Sequence, residues 1–464
     1  MKQNNIHFIG IGGIGMSGLA EIMLSRGKRV TGSDVKGNAL TERLKGKGAV
    51  IFEGHASEHL PEGTELVIRS SCIRRENPEI KEAELKGISV MTRGELLKEI
   101  MENSPLSVGV TGTHGKTTTS SMIAHIMENA GVCPTSIIGG TLEILGSNAR
   151  DGKGGITVAE VDESDGFFRN MSTGIAVITN IEREHMENYG SMGDLLSAYK
   201  EFIGRIYPGG TLIYSGEDAI LDFLSRDLPV RTVSFGIGGR HNVSCRIVTC
   251  AKSIEIELYV ESVLRGMLKS PLIGKHNVKN MLAAYAACSA AGMPFADIAA
   301  GFLTFRGAGR RFEKIGKVCG VEVIEDYAHH PTELSAVIRA AKNYSDGRVV
   351  AVFQPHRHSR TSDLAEDFVN CFDGSDFLIL TDVYSAHEDP VKGLGIRDIF
   401  DRIDRSRFRE VALVSKEFIP DRVSDLVREG DTVLVLGAGD IREISPLILN
   451  SIKHRLEPVP GERP

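Results

Sequence analysis

Short β-branched runs alternate with segments of helical period through the first hundred residues. They are His7 to Ile11, a helix near Met16 to Arg26, Arg29 to Thr31, a helix near Ala39 to Lys47, and Leu66 to Ile68. Strands alternating with helices predict a parallel sheet. A polar stretch, Glu102 to Pro105, interrupts the pattern, and a new strand, Leu106 to Val110, opens directly into Thr111 to Thr119. From Val230 to Leu268 the apolar period falls towards two, as in Ser253 to Leu258. That predicts antiparallel strands appended to a mixed central sheet, followed by a helix over Val278 to Ala291. Beyond a glycine-rich break at Gly307 to Arg311, a third alternating region carries strands near Val321 to Ile324, Val349 to Phe353, Phe377 to Leu380 and Val433 to Leu436. The expected class is α/β in three domains, 1–104, 105–311 and 312–464, and 464 residues suffice for three separate cores. The polar, proline-rich tail Glu457 to Pro464 is expected to fray.

Composition narrows the partners more than the fold. A net charge of -7, without a basic stripe, argues against nucleic acid. No apolar run approaches the roughly 18 residues of a membrane span, and the polar start lacks the apolar core of a signal peptide, so no membrane partner and a cytoplasmic location are expected. Seven scattered cysteines without a CxxC pair read as reduced core residues.

Two glycine-rich loops follow strands and open helices. In Gly10-Ile-Gly12-Gly13-Ile14-Gly15 the spacing fits GxGxxG, whose glycines let the backbone approach a pyrophosphate while the helix N-terminus favours its charge. Asp34, ending the next strand, suits a ribose hydroxyl. The motif alone does not separate a dinucleotide, and with it a nicotinamide oxidoreductase, from another diphosphate ligand. The second loop is more specific. Gly112, Gly115, Lys116 and Thr117 supply backbone donors, a cation for the β- and γ-phosphates and a hydroxyl for magnesium. It departs from strict GxxxxGK[ST] because Val110 stands at the first glycine position.

Magnesium needs further oxygen ligands. Val158 to Asp165 brings Glu160, Asp162, Glu163 and Asp165 to the end of an apolar strand, with Glu160 the first ligand candidate. After another buried strand, Ile175 to Thr179, comes Asn180-Ile-Glu-Arg-Glu-His185, which puts His185 at the same sheet edge; an imidazole ligand would let manganese substitute. The amides of Asn277 and Asn280, in Gly274 to Asn280, suit the edge of adenine. In the third region Asp326 to Pro331 and Gln354 to Thr361 end neighbouring strands. Arg357 and Arg360, with His356, form a fork for a carboxylate.

Over nearly the whole chain these motifs, with Gly309-Arg-Arg311-Phe-Glu313, resemble the Mur ligases in their order, and among them the alanine-adding branch. The resemblance implies a Rossmann-like N-terminal domain for UDP-N-acetylmuramate, a central P-loop ATPase domain with a mixed sheet, and a Rossmann-like C-terminal domain for L-alanine. The nucleotide-sugar contacts it implies are Gly12, Gly13, Ile14, Gly15 and Asp34, with Ser70, Ser71 and Asn180. The ATP contacts are Gly112, Thr113, His114, Gly115, Lys116, Thr117 and Thr118, then His276, Asn277 and Asn280 at adenine and Asp326 at ribose. Thr117, Glu160 and His185 would hold metal, Mg2+ with Mn2+ able to substitute. Lys116, His185, His329 and Arg311 would be catalytic, and His356, Arg357 and Arg360 would grip the alanine carboxylate. Arg183, Glu184 and Val161 depart from the family's usual residues without removing a ligand. Lys200 occupies the position of a lysine that related ligases carbamylate.

The implied reaction joins the lactyl carboxylate of UDP-N-acetylmuramate to L-alanine through an acyl phosphate made from ATP. The alternative is a muropeptide-recycling ligase that attaches a tripeptide. Such chemistry predicts domain closure about Asn103 to Pro105 and Gly307 to Gly309, in a monomer or weak homodimer.

Overall fold

The computed structural model describes residues 2–386, Glu388 and residues 395–456, so the expected fraying of Glu457 to Pro464 lies outside the described residues. The architecture is α/β, with three sheets among the described residues. The chain forms two compact units. One comprises Met1–Val248, Glu255–Ser270 and Lys279–Ala308, the other Thr249–Ile254, Pro271–Val278 and Gly309–Pro464.

The first sheet contains β1 (Asn5–Ile9), β2 (Arg29–Asp34), β3 (Val50–Glu53), β4 (Leu66–Arg69) and β5 (Ser89–Thr92) in the order β3-β2-β1-β4-β5. All four pairings are parallel, so every strand delivers its following loop to one edge. Ile6, Phe8 and Ile68 on its strands pack with Leu19, Ile22 and Met23 of the helix Ile14–Ser25.

The second sheet holds β6 (Leu106–Thr111), β7 (Thr135–Leu142), β8 (Ser147–Arg150), β9 (Ile156–Glu160), β10 (Thr173–Ile178), β11 (Ile206–Ser215), β12 (Arg231–Ile237), β13 (Val243–Thr249), β14 (Ile254–Val260) and β15 (Val263–Ser270). Its order is β15-β14-β13-β12-β11-β10-β6-β9-β7-β8. The centre is parallel, and β7 with β8 is antiparallel, so the sheet is mixed as expected. The expected antiparallel run beyond Val230 needs correction: β12 pairs parallel with β11, and β13 parallel with β12. Beyond Val230 antiparallel pairing starts only at β13 and β14, where the Glu261 amide donates to the Asn242 carbonyl and Arg246 reaches Glu257, and it continues into β15 across a two-residue link, Glu261 and Ser262 at φ 49° and 64°. Period-two patterning reports burial of one face rather than strand direction. Ile254, Ile256 and Leu258 alternate with half-exposed neighbours, whereas Val108 and Val110 of β6 are buried in a strand covered on both faces.

The third sheet holds β16 (Glu313–Val318), β17 (Val321–Asp326), β18 (Val349–Phe353), β19 (Phe377–Leu380), β20 (Glu410–Leu413) and β21 (Thr432–Leu436) in the order β16-β17-β21-β18-β19-β20. Among the described residues of this sheet, only β16 is antiparallel to its neighbour. Buried residues of β17, β18 and β21 face two separate apolar clusters, one on each side of the sheet. Among the described residues, no helix is long and apolar enough to cross a membrane.

Candidate active site

Strand register gathers the predicted residues at sheet edges. In the first sheet Ile9 lies opposite both Ser33 and Arg69, and Arg69 opposite Thr92. Gly10 to Gly15, Asp34, Ser70 and Ser71 therefore leave the sheet at one end. The Gly10 and Ile11 amides both donate to the Ser33 carbonyl, and Gly10 sits at φ 79°, a turn that favours glycine. Asp34 Oδ2 accepts from the Gly12 amide at 2.7 Å, and Asn38 donates to the Gly12 carbonyl at 3.1 Å. Asp34 thus holds the loop itself. The helix Ile14–Ser25 begins at Gly13 without a side-chain cap, which leaves its first-turn amides to another acceptor.

In the second sheet Val110 lies opposite Glu160, and Thr111 opposite Ile178. The phosphate loop is consequently flanked by the acidic stretch on one side and by Thr179 to His185 on the other. Gly112, at φ 125°, has no room for a side chain, because a Cβ would collide with Thr179 Oγ1. Gly115, at φ 83°, starts the helix Lys116–Asn129, and a Cβ there would lie 2.5 Å from Asn280 Oδ1. Asn280 Oδ1 also accepts from Thr119 at 3.3 Å. Asn180, which the resemblance assigns to the nucleotide sugar, instead has its amide on the phosphate loop: its Oδ1 accepts from the His114 amide and its Nδ2 donates to the His114 carbonyl, both at 2.9 Å. Thr179 Oγ1 donates to the same carbonyl at 2.6 Å, and Thr113 Oγ1 accepts from the Glu182 amide at 2.8 Å. Thr117 and Thr118 are buried in the first helical turn.

Lys116 Nζ donates to the carbonyls of Gly112 and Thr113 at 2.7 and 3.1 Å and to Glu163 Oε1 at 2.8 Å. Burial alone would lower its pKa, but the carboxylates of Glu163, Asp162 and Glu160 more than offset that and hold the ammonium above its usual range. Burial, with Asp162 alongside, pushes the Glu163 carboxyl up although Lys116 pulls it down. Glu163 is 2% exposed, and its Oε2 has no hydrogen-bond partner among the described residues. Tyr189 donates to the Glu163 carbonyl and fixes the turn.

Glu160 Oε2 accepts from the Gly139 amide at 3.0 Å. His185, at φ 59°, opens the helix Met186–Tyr189, with Nε2 3.9 Å from Glu163 Oε1 and Nδ1 3.8 Å from Glu187 Oε1. Burial lowers the His185 pKa, but Glu187, Glu184 and Glu163 outweigh it and raise it. Carboxylates, an imidazole, a threonine hydroxyl and the unpartnered Glu163 oxygen are donor types that suit a divalent cation, but among the described residues Glu160, Glu163 and His185 do not bring their ligand atoms within 4.8 Å of one another. Lys200 is exposed on the helix Met192–Ile203, whose buried side is Leu195, Ala198, Tyr199 and Phe202.

In the third sheet Asp326 lies opposite Leu436, and Phe353 opposite both Leu436 and Leu380. The segments after β17, β18, β19 and β21 therefore share one rim. Asp326 accepts from the amides of Phe312 and Ala328, both at 2.8 Å, yet burial pushes its carboxyl up to about 6, against the pull of Arg311. Arg310 and Arg311 both lie over the Tyr327 ring, at 4.6 and 5.1 Å. His329 Nδ1 meets the Tyr327 carbonyl at 2.9 Å. His356 stacks on Tyr384, with centroids 5.5 Å apart, and its Nδ1 lies 3.4 Å from Arg360. Burial, then His329, Arg360 and Arg357, push the His356 pKa down to about 3, so the imidazole is neutral. Arg357 is at φ 70°, 3.8 Å from Glu388. Asn277 donates to the Ile273 carbonyl at 2.9 Å, and burial pushes His276 down to about 4.

Sequence reading missed Gly139, Arg93, Tyr384 and Glu388. Arg93 follows the parallel strand β5 directly and Tyr384 lies in the loop after β19, and the rule that ligands gather beyond carboxyl strand ends was the signal that could have found them. Gly139 and Glu388 carry no such signal, since each matters only through what it touches.

Three family models match in succession: the Mur ligase family, catalytic domain, over residues 5–105, the Mur ligase middle domain over 110–288, and the Mur ligase, glutamate ligase domain over 310–439. The UDP-N-acetylmuramate--L-alanine ligase of Syntrophus aciditrophicus (strain SB) is 39% identical, covering 97% of this chain and 94% of that protein. The enzyme of the same name from Geobacter sp. (strain M21) is 40% identical, covering 97% and 98%. The crystal structure of UDP-N-acetylmuramate-alanine ligase MurC from Thermotoga maritima superposes with a TM-score of 0.82 at 28% identity, covering 96% of this chain and 98% of that one. A murein peptide ligase from Psychrobacter arcticus shares the fold, with a TM-score of 0.70 at 22% identity over 97% and 98%. Sheet edges that present a phosphate loop, an acidic strand end and an arginine-histidine rim, in a chain matched over 97% of its length by such relatives, place this protein in the Mur ligase family.

Proposed function

We propose that this chain is an ATP-dependent ligase that forms the amide between the lactyl carboxylate of UDP-N-acetylmuramate and L-alanine, in peptidoglycan precursor synthesis. The observation that carries the reading is the phosphate loop, whose Lys116 is held on its own carbonyls and on Glu163 beside the acidic strand end. Phosphoryl transfer from ATP needs this set of groups, and the names of the relatives supply the other two substrates.

In this reading residues 1–104 bind the nucleotide sugar, 105–311 bind ATP and 312–464 bind the amino acid. Backbone amides from Gly112 to Thr118 cradle the phosphates, and Lys116 exchanges Glu163 for a γ-phosphate oxygen. His276, Asn277 and Asn280 take the adenine, Asp326 the ribose, and Arg311 the phosphates. Thr117, Glu160 and His185 would hold Mg2+, or Mn2+ in its place, which neutralises charge on the transferring group. A lactyl oxygen attacks the γ-phosphorus, the bond to the β-phosphate oxygen breaks, and ADP departs. The alanine amine then attacks the acyl carbonyl, and phosphate leaves as the amide forms. Arg357 and Arg360 grip the alanine carboxylate, and neutral His356 contributes a hydrogen bond without adding charge. His329 would stand near the incoming amine or the muramyl lactate. Closure about residues 103–105 and 307–309 shields the acyl phosphate from water. The protein works in the cytoplasm as a monomer or weak homodimer, without nucleic-acid or membrane partners.

Phosphate release from ATP and Mg2+ with UDP-N-acetylmuramate tests the reading. Release that requires L-alanine, with a matching mass gain on the nucleotide sugar, is the expected result. Release that requires a tripeptide instead would reassign the chain to muropeptide recycling, and no release would overturn the ligase.

A further inference from the structure

Arg93 is the first residue after β5 and opens the helix Arg93–Glu102, at the same carboxyl edge as Gly10 to Gly15 and Ser70. Its side chain is 17% exposed and has no hydrogen bond among the described residues. On one side the guanidinium closes on the glycine loop: a Cβ at Gly15 would lie 3.1 Å from Arg93 Cδ and 3.3 Å from Nη1. On the other side Nη2 is 3.8 Å from Asp162 and 3.9 Å from Asp165, too far for a hydrogen bond to either. The next residue fixes the position, because Gly94 has no space for a side chain beside the Phe167 ring. Here a half-buried fork of five N–H donors faces the uncapped start of the helix Ile14–Ser25, in loose ion pairs with Asp162 and Asp165 and in no hydrogen bond among the described residues.

We infer that Arg93 is the cation of the nucleotide-sugar site and binds the diphosphate bidentately, together with the amides at Gly13 to Gly15. The inference rests on the activity proposed above. A diphosphate brings two to three negative charges to a loop whose own donors are neutral amides, and a planar guanidinium matches its paired oxygens. Gly15 is then needed on two counts: its bare Cα leaves room for the guanidinium, and its amide stays accessible.

Calorimetric titration of UDP-N-acetylmuramate, UDP, uridine and ATP into the wild type, R93A and R93K tests this, with thermal unfolding to establish that both variants are folded. R93A is expected to weaken UDP-N-acetylmuramate and UDP about ten- to a hundredfold, with R93K intermediate, while uridine and ATP bind as before. If R93A weakened UDP-N-acetylmuramate but not UDP, the guanidinium would serve the lactyl carboxylate and the diphosphate assignment would be overturned. Equal binding of UDP by wild type and both variants would also overturn it. A wild type that binds no uridine nucleotide would remove the proposed activity itself, whereas one that binds UDP-N-acetylmuramate beside an equally tight R93A removes only the role of Arg93.

Discussion

The Gly139 amide donates to Glu160 Oε2 at 3.0 Å, and a methyl group on Gly139 would collide with that same carboxylate. The glycine therefore both orients the proposed metal ligand and leaves it space. Gly139→Ala displaces the flexible end of a half-exposed side chain rather than backbone, so the fold tolerates it while the ligand moves. The expected outcome is a fall in kcat of at least about tenfold and a raised Mg2+ requirement, with a thermal midpoint within a few degrees of wild type. A magnesium titration of phosphate release beside a thermal melt measures both.

Asn180 holds the phosphate loop through both ends of its amide, on the His114 N–H and carbonyl. Asn180→Asp keeps the acceptor but loses the donor and sets a negative charge beside the phosphate site. KM for ATP should rise about tenfold or more, with little change in KM for L-alanine. Equal effects on all three substrates would place Asn180 outside the ATP site.

The strand-helix alternation and the two glycine loops were legible because parallel strands buried on both faces read as continuous apolar runs, and because loops that approach phosphate require glycine. Strand direction around Val230 was not, since the alternation there records which face is solvated and is silent about polarity. Asp34, Asn180 and Asn280 were visible as polar residues at the right edges. Their bonds to Gly12, to His114 and to Thr119 beside Gly115 depend on loop paths that no periodicity encodes. Arg93 looked like an ordinary helix-opening residue, and only the register of β5 with β4 brings it to the glycine loop.

Beneath the first glycine loop lies a buried polar cluster. Glu79 Oε2 meets His7 Nε2 at 2.6 Å, and Oε1 accepts from Ser33 Oγ and meets His55 Nδ1, both at 2.8 Å. Burial pushes the Glu79 carboxyl up, but the hydrogen bonds from His7, Ser33 and His55 outweigh it and pull its pKa below the usual range. A lowered carboxyl stabilises the fold above its unfolded value of about 4.3, and that contribution is lost as pH falls through the folded value. Glu79→Gln should cost about 1–3 kcal/mol at neutral pH and narrow the gap to wild type in acid, measured by urea unfolding at a series of pH values. A gap that widened on acidification would contradict this sign.

Asp326 has the opposite sign. Burial raises its carboxyl to about 6, against about 3.9 when unfolded, so between those values the folded protein keeps a proton that the unfolded chain releases. Stability therefore falls as pH rises from about 4 to 6 and flattens above, by at most about 3 kcal/mol for a shift of about two units. Asp326→Asn removes the titration, so wild type should lose stability relative to the variant across that window. The same proton affects substrate: an ionised Asp326 accepts from ribose hydroxyls more strongly than a protonated one, so KM for ATP should climb below about pH 6 in wild type. In Asp326→Asn it should be high and independent of pH. Unfolding midpoints and KM for ATP, both measured from pH 5 to 8 for the two proteins, separate the roles, because a carboxyl that only braces the Phe312 and Ala328 amides would change the first and leave the second flat.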